Sequence, residues 1–193
     1  MWDQDLFLWL NFDGGATLDS IMIFISGKLS WLPYYALILA LVGRKYGWKS
    51  ALLIAVSIGA AVGISDLLAG IFKHSGPLKD LWSEFPARLR PMHNPEIQDI
   101  VHFIKKGGKF GTVSAHAATA FSIALISSLA IRKRWFTIIA FVEVALVCYS
   151  RIYLGYHYPQ DILLGIGIGF ISGWIMWLIF NNLNKRVAKN NAQ

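Results

Sequence analysis

Hydrophobic positions gather into five long runs, near residues 18–42, 51–72, 114–131, 136–152 and 161–180, with polar clusters between them. Crossing roughly 30 Å of hydrocarbon takes about 20 apolar helical residues, since each advances about 1.5 Å. Each run is therefore expected to be a transmembrane helix. The opening "MWDQDLFLWLNF" is apolar but too short to cross, and no Lys or Arg precedes its hydrophobic part, so it does not read as a cleavable signal peptide. It is expected to lie in the interface as a short helix, with Trp2 and Trp9 at head-group depth and Asp3 and Asp5 in water. The expected fold class is all-α: a polytopic membrane helix bundle of about five transmembrane helices plus an N-terminal interfacial helix. No repeat, low-complexity tract or linker divides residues 1–193, so a single membrane-embedded domain is expected.

Composition agrees, because 55% hydrophobic and 15% charged residues are a poor fit to a soluble domain. The formal charge of +7 would suggest a nucleic-acid partner in a soluble chain. Here its distribution explains it without nucleic acid. Arg44, Lys45 and Lys49 follow the first run, Arg132, Lys133 and Arg134 the third, and Lys185, Arg186 and Lys189 the fifth. All nine fall on one side, which the positive-inside rule makes cytoplasmic. The N-terminus, the 73–113 segment and the 151–160 turn are then outside. One cysteine, Cys148, allows no intrachain disulfide.

Three polar stretches converge on that outer face: "FKHSGPLKDLWSEFPARLRP" (72–91), "GTVSAHAATAF" (111–121) and "SRIYLGYHYPQD" (150–161). They supply Lys73, Lys79, Arg88, Arg90, Ser114, His116, Arg151, His157 and Asp161. A cluster of Arg and Lys at a membrane surface suits a phosphate, because guanidinium forks match its oxygens and charge-assisted bonds are strong. Ser114 is a good N-cap for the third run, and helix-start amides beside it would favour an anion. Pro159 suits the first position of the fifth helix, which sets Asp161 one turn in and within reach of His157. A carboxylate on one imidazole nitrogen fixes the tautomer and leaves the other nitrogen free to attack. Two histidines and a carboxylate could also form a metal site of the facial-triad kind, against which the surrounding arginines argue.

These residues carry a resemblance. Ser150, Arg151, His157 and Asp161 reproduce Ser-Arg, five residues, His, three residues, Asp, which is similar to the third signature of the type 2 phosphatidic acid phosphatase (PAP2) superfamily. "VSAH" at 113–116 resembles the second signature, usually Ser-Gly-His, and Arg90-Pro91 the end of the first, usually Lys, six residues, Arg-Pro. Ala115 replaces the customary glycine. Sixteen residues separate Lys73 from Arg90 and ten separate Lys79 from it; Lys73 is favoured because it follows its helix directly, with an insertion looping out. The resemblance implies that His157 attacks phosphorus, Asp161 orients it, and His116 protonates the leaving oxygen and later activates water. It further implies that Lys73, Arg90, Ser114 and Arg151 hold the phosphoryl oxygens, with no metal and no cofactor.

The expected substrate is a membrane lipid phosphate or diphosphate at the periplasmic face of a bacterial inner membrane. Lipid A phosphate, undecaprenyl diphosphate, phosphatidylglycerol phosphate and phosphatidate all fit; the long 73–91 segment and Lys105, Lys106 and Lys109 lean toward a large or multiply charged head group. A non-catalytic anion binder or transporter on the same bundle is the alternative. Lys28, Asp66 and Glu143 fall inside runs, roughly 10–12 Å from the outer ends at about 1.5 Å per residue. Either Lys28 pairs with Asp66 or Glu143 beneath the pocket, or the first run is broken near "SGKLSW" and Lys28 snorkels outward. His74, His93 and His102 are expected to face solvent, and Tyr149, Tyr153, Tyr156, Tyr158 and Trp31 to form an interfacial belt.

Overall fold

A computed structural model describes residues 2–190. The described residues form seven α-helices: α1 (Trp2–Leu10), α2 (Gly15–Ser26), α3 (Leu32–Tyr46), α4 (Trp48–Phe72), α5 (Ala115–Ile131), α6 (Arg134–Tyr153) and α7 (Pro159–Asn190). Short 3-10 turns lie at Leu29–Trp31 and Pro91–His93, and the described residues hold no strand, only an isolated bridge between Leu89 and Phe110. The all-helical bundle is as expected. The helices α4, α6 and α7 are long and apolar enough to cross a membrane alone. The first run is a broken pair, α2 and α3, bent by 72°. At 17 residues α5 is the short one, about 25 Å long, and it is packed among α4, α6 and α7.

The break after Ser26 is built rather than frayed. A helix end leaves carbonyls without partners, and here Phe24 O accepts from Gly27 N and from the Ser30 hydroxyl, while Ile25 O accepts from Trp31 Nε1 at 2.8 Å. Lys28 therefore sits in a turn, exposed, and not within a helix. At the opposite end of the bundle, Lys45 Nζ donates to Ala130 O and Ile131 O at 3.0 and 2.9 Å, closing the C-terminus of α5 as cations near helix ends do.

The closest helix contact joins α5 to α7. Gly165, Gly169 and Gly173 recur every fourth residue on α7; a Cβ on the first two would stand 2.4 Å from Ser114 O and 2.3 Å from Ala118 O, and one on Gly173 would stand 3.0 Å from Ser122 Cα. Small residues at this spacing let two backbones approach in a lipid setting, where dispersion and close packing drive helix association. The seam has a direct result at its top, where Ser114 N donates to Asp161 O at 3.0 Å.

The N-terminal helix corrects one expectation. Asp3 is only 3% exposed and is not in water: its Oδ1 accepts from Gln160 N at 2.8 Å in the first turn of α7, and its Oδ2 pairs with Arg88 at 2.5 Å. An acidic group at a helix start satisfies amides that would otherwise lack partners. Phe7 packs edge-on against Tyr158, with centroids 5.3 Å apart. Asn11 then ties the 73–113 segment to α6, donating to His102 O and Tyr153 O at 2.9 and 2.7 Å and accepting from His102 N at 2.8 Å. His74, His93 and His102 are half-buried, not solvent-facing, because each ring nitrogen is bonded: to Phe85 O, Gly107 O and Asp19 respectively. Tyr153 and Tyr158 are fully buried core residues, not belt residues. Lys105, Lys106 and Lys109 are exposed.

The seam predicts a contrast between two glycines two residues apart. Gly169→Ala forces its Cβ against Ala118 O and lowers the thermal midpoint in detergent, with an overpacking cost of about 1–3 kcal/mol. Gly167→Ala meets nothing within 4 Å and leaves the midpoint unchanged or slightly raised, since Ala is the better helix former. Equal behaviour of the two in a thermal melt would contradict the seam.

Candidate active site

The turn from α6 into α7 is set by backbone before side chains enter. Tyr156 N and His157 N both donate to Arg151 O, at 3.0 and 3.3 Å, and Gly155 takes a φ of +72°, a left-handed conformation that glycine adopts without strain. Pro159 then opens α7, where its missing N–H is no loss. His157 is thereby placed just outside the helix with Asp161 behind it. Its Nδ1 lies 3.3 Å from Asp161 Oδ2, which also accepts from Tyr158 N at 3.0 Å. A carboxylate can only accept there, so the contact places the ring proton on Nδ1 and leaves a lone pair on Nε2.

His157 lines a cavity of about 510 Å³ together with Lys73, Arg90, His116 and Arg151. Five of the seven residues singled out from the sequence thus meet at one wall, drawn from four separate segments. The other two stand behind it. Asp161 supports His157, and Ser114 is wholly buried, with its hydroxyl accepting from Ala117 N at 3.3 Å as the N-cap of α5. The cap leaves Ala115 in ordinary helical backbone, so replacement of the customary glycine introduces no positive φ. Lys73 caps the end of α4 and faces the cavity, whereas Lys79 lies exposed on the 74–87 excursion and does not line it. The insertion does loop out, and its root is fastened by Phe72, Trp82 and Phe85, whose rings pack edge-on or tilted against one another. It rejoins the site where Arg90 N donates to Lys109 O at 3.0 Å and Gly111 N donates to Arg88 O at 2.8 Å.

The cations are held by groups that the sequence reading did not assign. Tyr156 lies as a shelf between two guanidinium groups, with Arg151 Cζ 4.2 Å and Arg90 Cζ 5.5 Å from its ring centroid, within cation–π range. Gly107 leaves room for this arrangement, since a Cβ there would stand 2.7 Å from Tyr156 Cε1 and 2.8 Å from Arg90 Nη1. Arg90 Nε donates to Phe110 O at 3.0 Å. Arg151 donates to the Ser26 hydroxyl at the helix break, while its Nε is buried without a partner. Arg88 differs from expectation. It does not line the cavity but stacks 3.5 Å from the centroid of Tyr158, pairs with Asp3 and stands 3.9 Å from Asp161 Oδ1.

Lys28, Asp66 and Glu143 also line the cavity, yet among the described residues no ion pair joins Lys28 to either carboxylate. Of the two readings of Lys28 the pair is absent and the broken first run is present: the helix break carries Lys28 to the cavity wall in a turn, where its charge remains exposed.

Burial and like charge fix the protonation of the rim. His157 is held well below the usual imidazole range, first by burial and then by Arg151, Arg90 and Lys73, so it is a neutral base near pH 7. Burial, reinforced by Arg90, pulls Lys73 down to about 8. The arrangement can present one neutral imidazole nitrogen to a group whose negative charge three cations hold, with a second imidazole alongside.

The PAP2 superfamily model matches residues 50–185, which include Lys73, Arg90, Ser114, His116, Arg151, His157 and Asp161. A lipid A 4'-phosphatase of Bacteroides thetaiotaomicron is 35% identical over 192 residues, covering 97% of this chain and 81% of the relative. A lipid A 4'-phosphatase of Porphyromonas gingivalis is 34% identical over 180 residues, covering 92% and 72%. The crystal structure of Aquifex aeolicus LpxE shares the fold, with a TM-score of 0.65 at 21% identity over 91% of this chain and 94% of that one. With the signature residues gathered at one cavity and the match running through all of them, this chain belongs to the PAP2 superfamily.

Proposed function

We propose that the chain removes a phosphate monoester from lipid A or a lipid A precursor at the periplasmic face of the inner membrane, through a phosphohistidine on His157. The observation that carries the reading is the pairing of His157 Nδ1 with Asp161 at 3.3 Å while the ring lines a cavity shared with Lys73, Arg90 and Arg151. The substrate assignment draws on the two lipid A 4'-phosphatases, each above 30% identity and matched over most of its length. The orientation draws on the nine cationic residues at the end of the bundle opposite the cavity.

The bound phosphate dianion would lie against the two guanidinium groups and the ammonium group, which take up charge as it spreads over the equatorial oxygens. His157 Nε2 attacks phosphorus in line, and the bond from phosphorus to the lipid oxygen breaks. His116, beside the dianion, gives a proton to that oxygen, and the lipid alcohol leaves. Water then gives a proton back to His116 as its oxygen attacks phosphorus. The N–P bond breaks, releasing inorganic phosphate and neutral His157. Asp161 stabilises the charge that develops on the ring during attack. Ser114 contributes by holding α5 in register, with its capped first turn directed at the site.

Two measurements test this reading. Purified protein in detergent, with EDTA present, releases phosphate from lipid A precursors. His157→Ala abolishes the release, and His116→Ala lowers kcat by about 10²–10⁴-fold, the usual worth of a positioned acid–base group. Release that survives in His157→Ala, or tight binding of lipid phosphates with no release from the unaltered protein, would contradict it; the second result would favour an anion binder. The pH dependence gives an independent check. Lys73 grips phosphate only when protonated, so kcat/KM falls as pH rises through about 8, and Lys73→Arg, which stays charged, removes that alkaline limb. An identical limb in both proteins would take Lys73 out of the phosphate grip.

A further inference from the structure

The cavity does not end at the phosphate grip. Three helices carry it downward on single faces: Arg151, Val147 and Glu143 on α6, His116, Ala120 and Ile123 on α5, and Lys73, Asp66 and Val62 on α4. Glu143 lies eight positions before Arg151, so the lining extends about 12 Å along α6 from the grip toward the middle of the bundle. Ile25, Trp31, Ile58 and Ile123 make much of the deeper wall apolar. Glu143 stands in that wall only 4% exposed, and its Oε2 has neither hydrogen-bond partner nor ion pair. Apolar packing does not need a carboxylate there. A buried polar atom without a partner is costly, and in a membrane helix an ionisable residue facing a cavity marks a functional site by default.

Its position relative to the grip narrows what it could bind. A phosphate seated among Lys73, Arg90 and Arg151 leaves the rest of the lipid to enter the deeper cavity. A lipid that is hydrocarbon up to its phosphate would bring only CH groups to Glu143 and leave the carboxylate desolvated. A lipid with hydroxyl or amide N–H groups near its phosphate would supply the missing donor. We propose that Glu143 is the acceptor of a second, deeper subsite that hydrogen-bonds a hydroxyl or amide of the substrate body, and so selects phosphorylated glycolipids over prenyl phosphates. Lys28 and Asp66, on the same wall and unpaired with Glu143, offer a donor and a further acceptor to such a polar body. The inference rests on the phosphatase reading only for which end of the lipid meets the cations.

The test separates the two. Binding is measured in detergent with the His157→Ala protein, using two probes: a multiply acylated glucosamine phosphate lipid and a prenyl monophosphate. Adding Glu143→Leu weakens the glycolipid by about tenfold or more and changes the prenyl phosphate by less than about twofold. Glu143→Gln keeps the shape but replaces a charge-assisted bond with one roughly half as strong, so it loses about threefold on the glycolipid alone. The thermal midpoint without ligand stays level or rises in Glu143→Leu, which removes a buried oxygen that has no partner, and stays level in Glu143→Gln. Equal weakening of both probes, or a lowered midpoint with unchanged selectivity, would make Glu143 a structural residue and overturn the proposal. Should Glu143→Leu fail to fold, the near-isosteric Gln variant decides on the same two probes. Selective binding together with no hydrolysis of either lipid by the unaltered protein would sink the phosphatase reading and leave the subsite standing.

Discussion

The site depends on how closely α5 and α7 can approach. Each helix carries part of the machinery at its N-terminal end: Ser114 and His116 on α5, Asp161 on α7 with His157 just ahead of it. Glycines at 165, 169 and 173 let the two backbones meet along three turns, and at the top of that seam Ser114 N bonds Asp161 O. A side chain in the seam would separate the helices and with them the two histidines. In hydrocarbon the hydrophobic effect does not hold helices together, so close packing of small residues is a principal means of fixing such a distance. The spacing of the two histidines is therefore set by the absence of side chains well below them.

Around this pair the rest of the fold supplies charge and restrains it. Cations on separate segments, Lys73, Arg90 and Arg151, would repel one another in an empty site. The structure offsets this with the Tyr156 ring between the two arginines, the Phe110 carbonyl on Arg90 and the Ser26 hydroxyl on Arg151. Holding them there lowers the proton affinity of His157 and Lys73, and so leaves a neutral imidazole beside a strongly positive cavity wall. The N-terminal helix belongs to the same arrangement, since Asp3 closes the first turn of α7 and neutralises Arg88, which lies against Asp161. Below the seat, the broken α2–α3 pair admits Lys28 and Trp31 to the cavity wall.

Much of this was legible in the sequence, for identifiable reasons. Helical runs of membrane length are a strong signal because bilayer thickness is fixed, and the spacing from Arg151 to His157 to Asp161 encodes a turn followed by a helix start. The separate segments that build the cavity could be joined because charge distribution placed them at one end. What escaped is what depends on partners distant in sequence. Asp3 looked like a solvent residue until Arg88 and Gln160 N stood beside it. Tyr153 and Tyr158 looked like belt residues because periodicity cannot tell a buried tyrosine from an interfacial one. For Lys28 the sequence left a buried pair and a broken run equally open, and the break at Gly27 decides for the second, since a residue in a turn can leave its charge exposed. The glycine seam had a readable signature, small residues at every fourth position from 165 to 173, that the charge-centred reading passed over.

The central claim is that the His157 ring, fixed by Asp161, forms the bond to phosphorus. Rapid quenching of the protein during turnover of a lipid substrate labelled with radioactive phosphate tests it most directly. The account predicts an acid-labile, alkali-stable label on the peptide containing His157, absent from Asp161-bearing protein in which His157 is Ala. Turnover with no label on the protein, or a label on His116 instead, would contradict it.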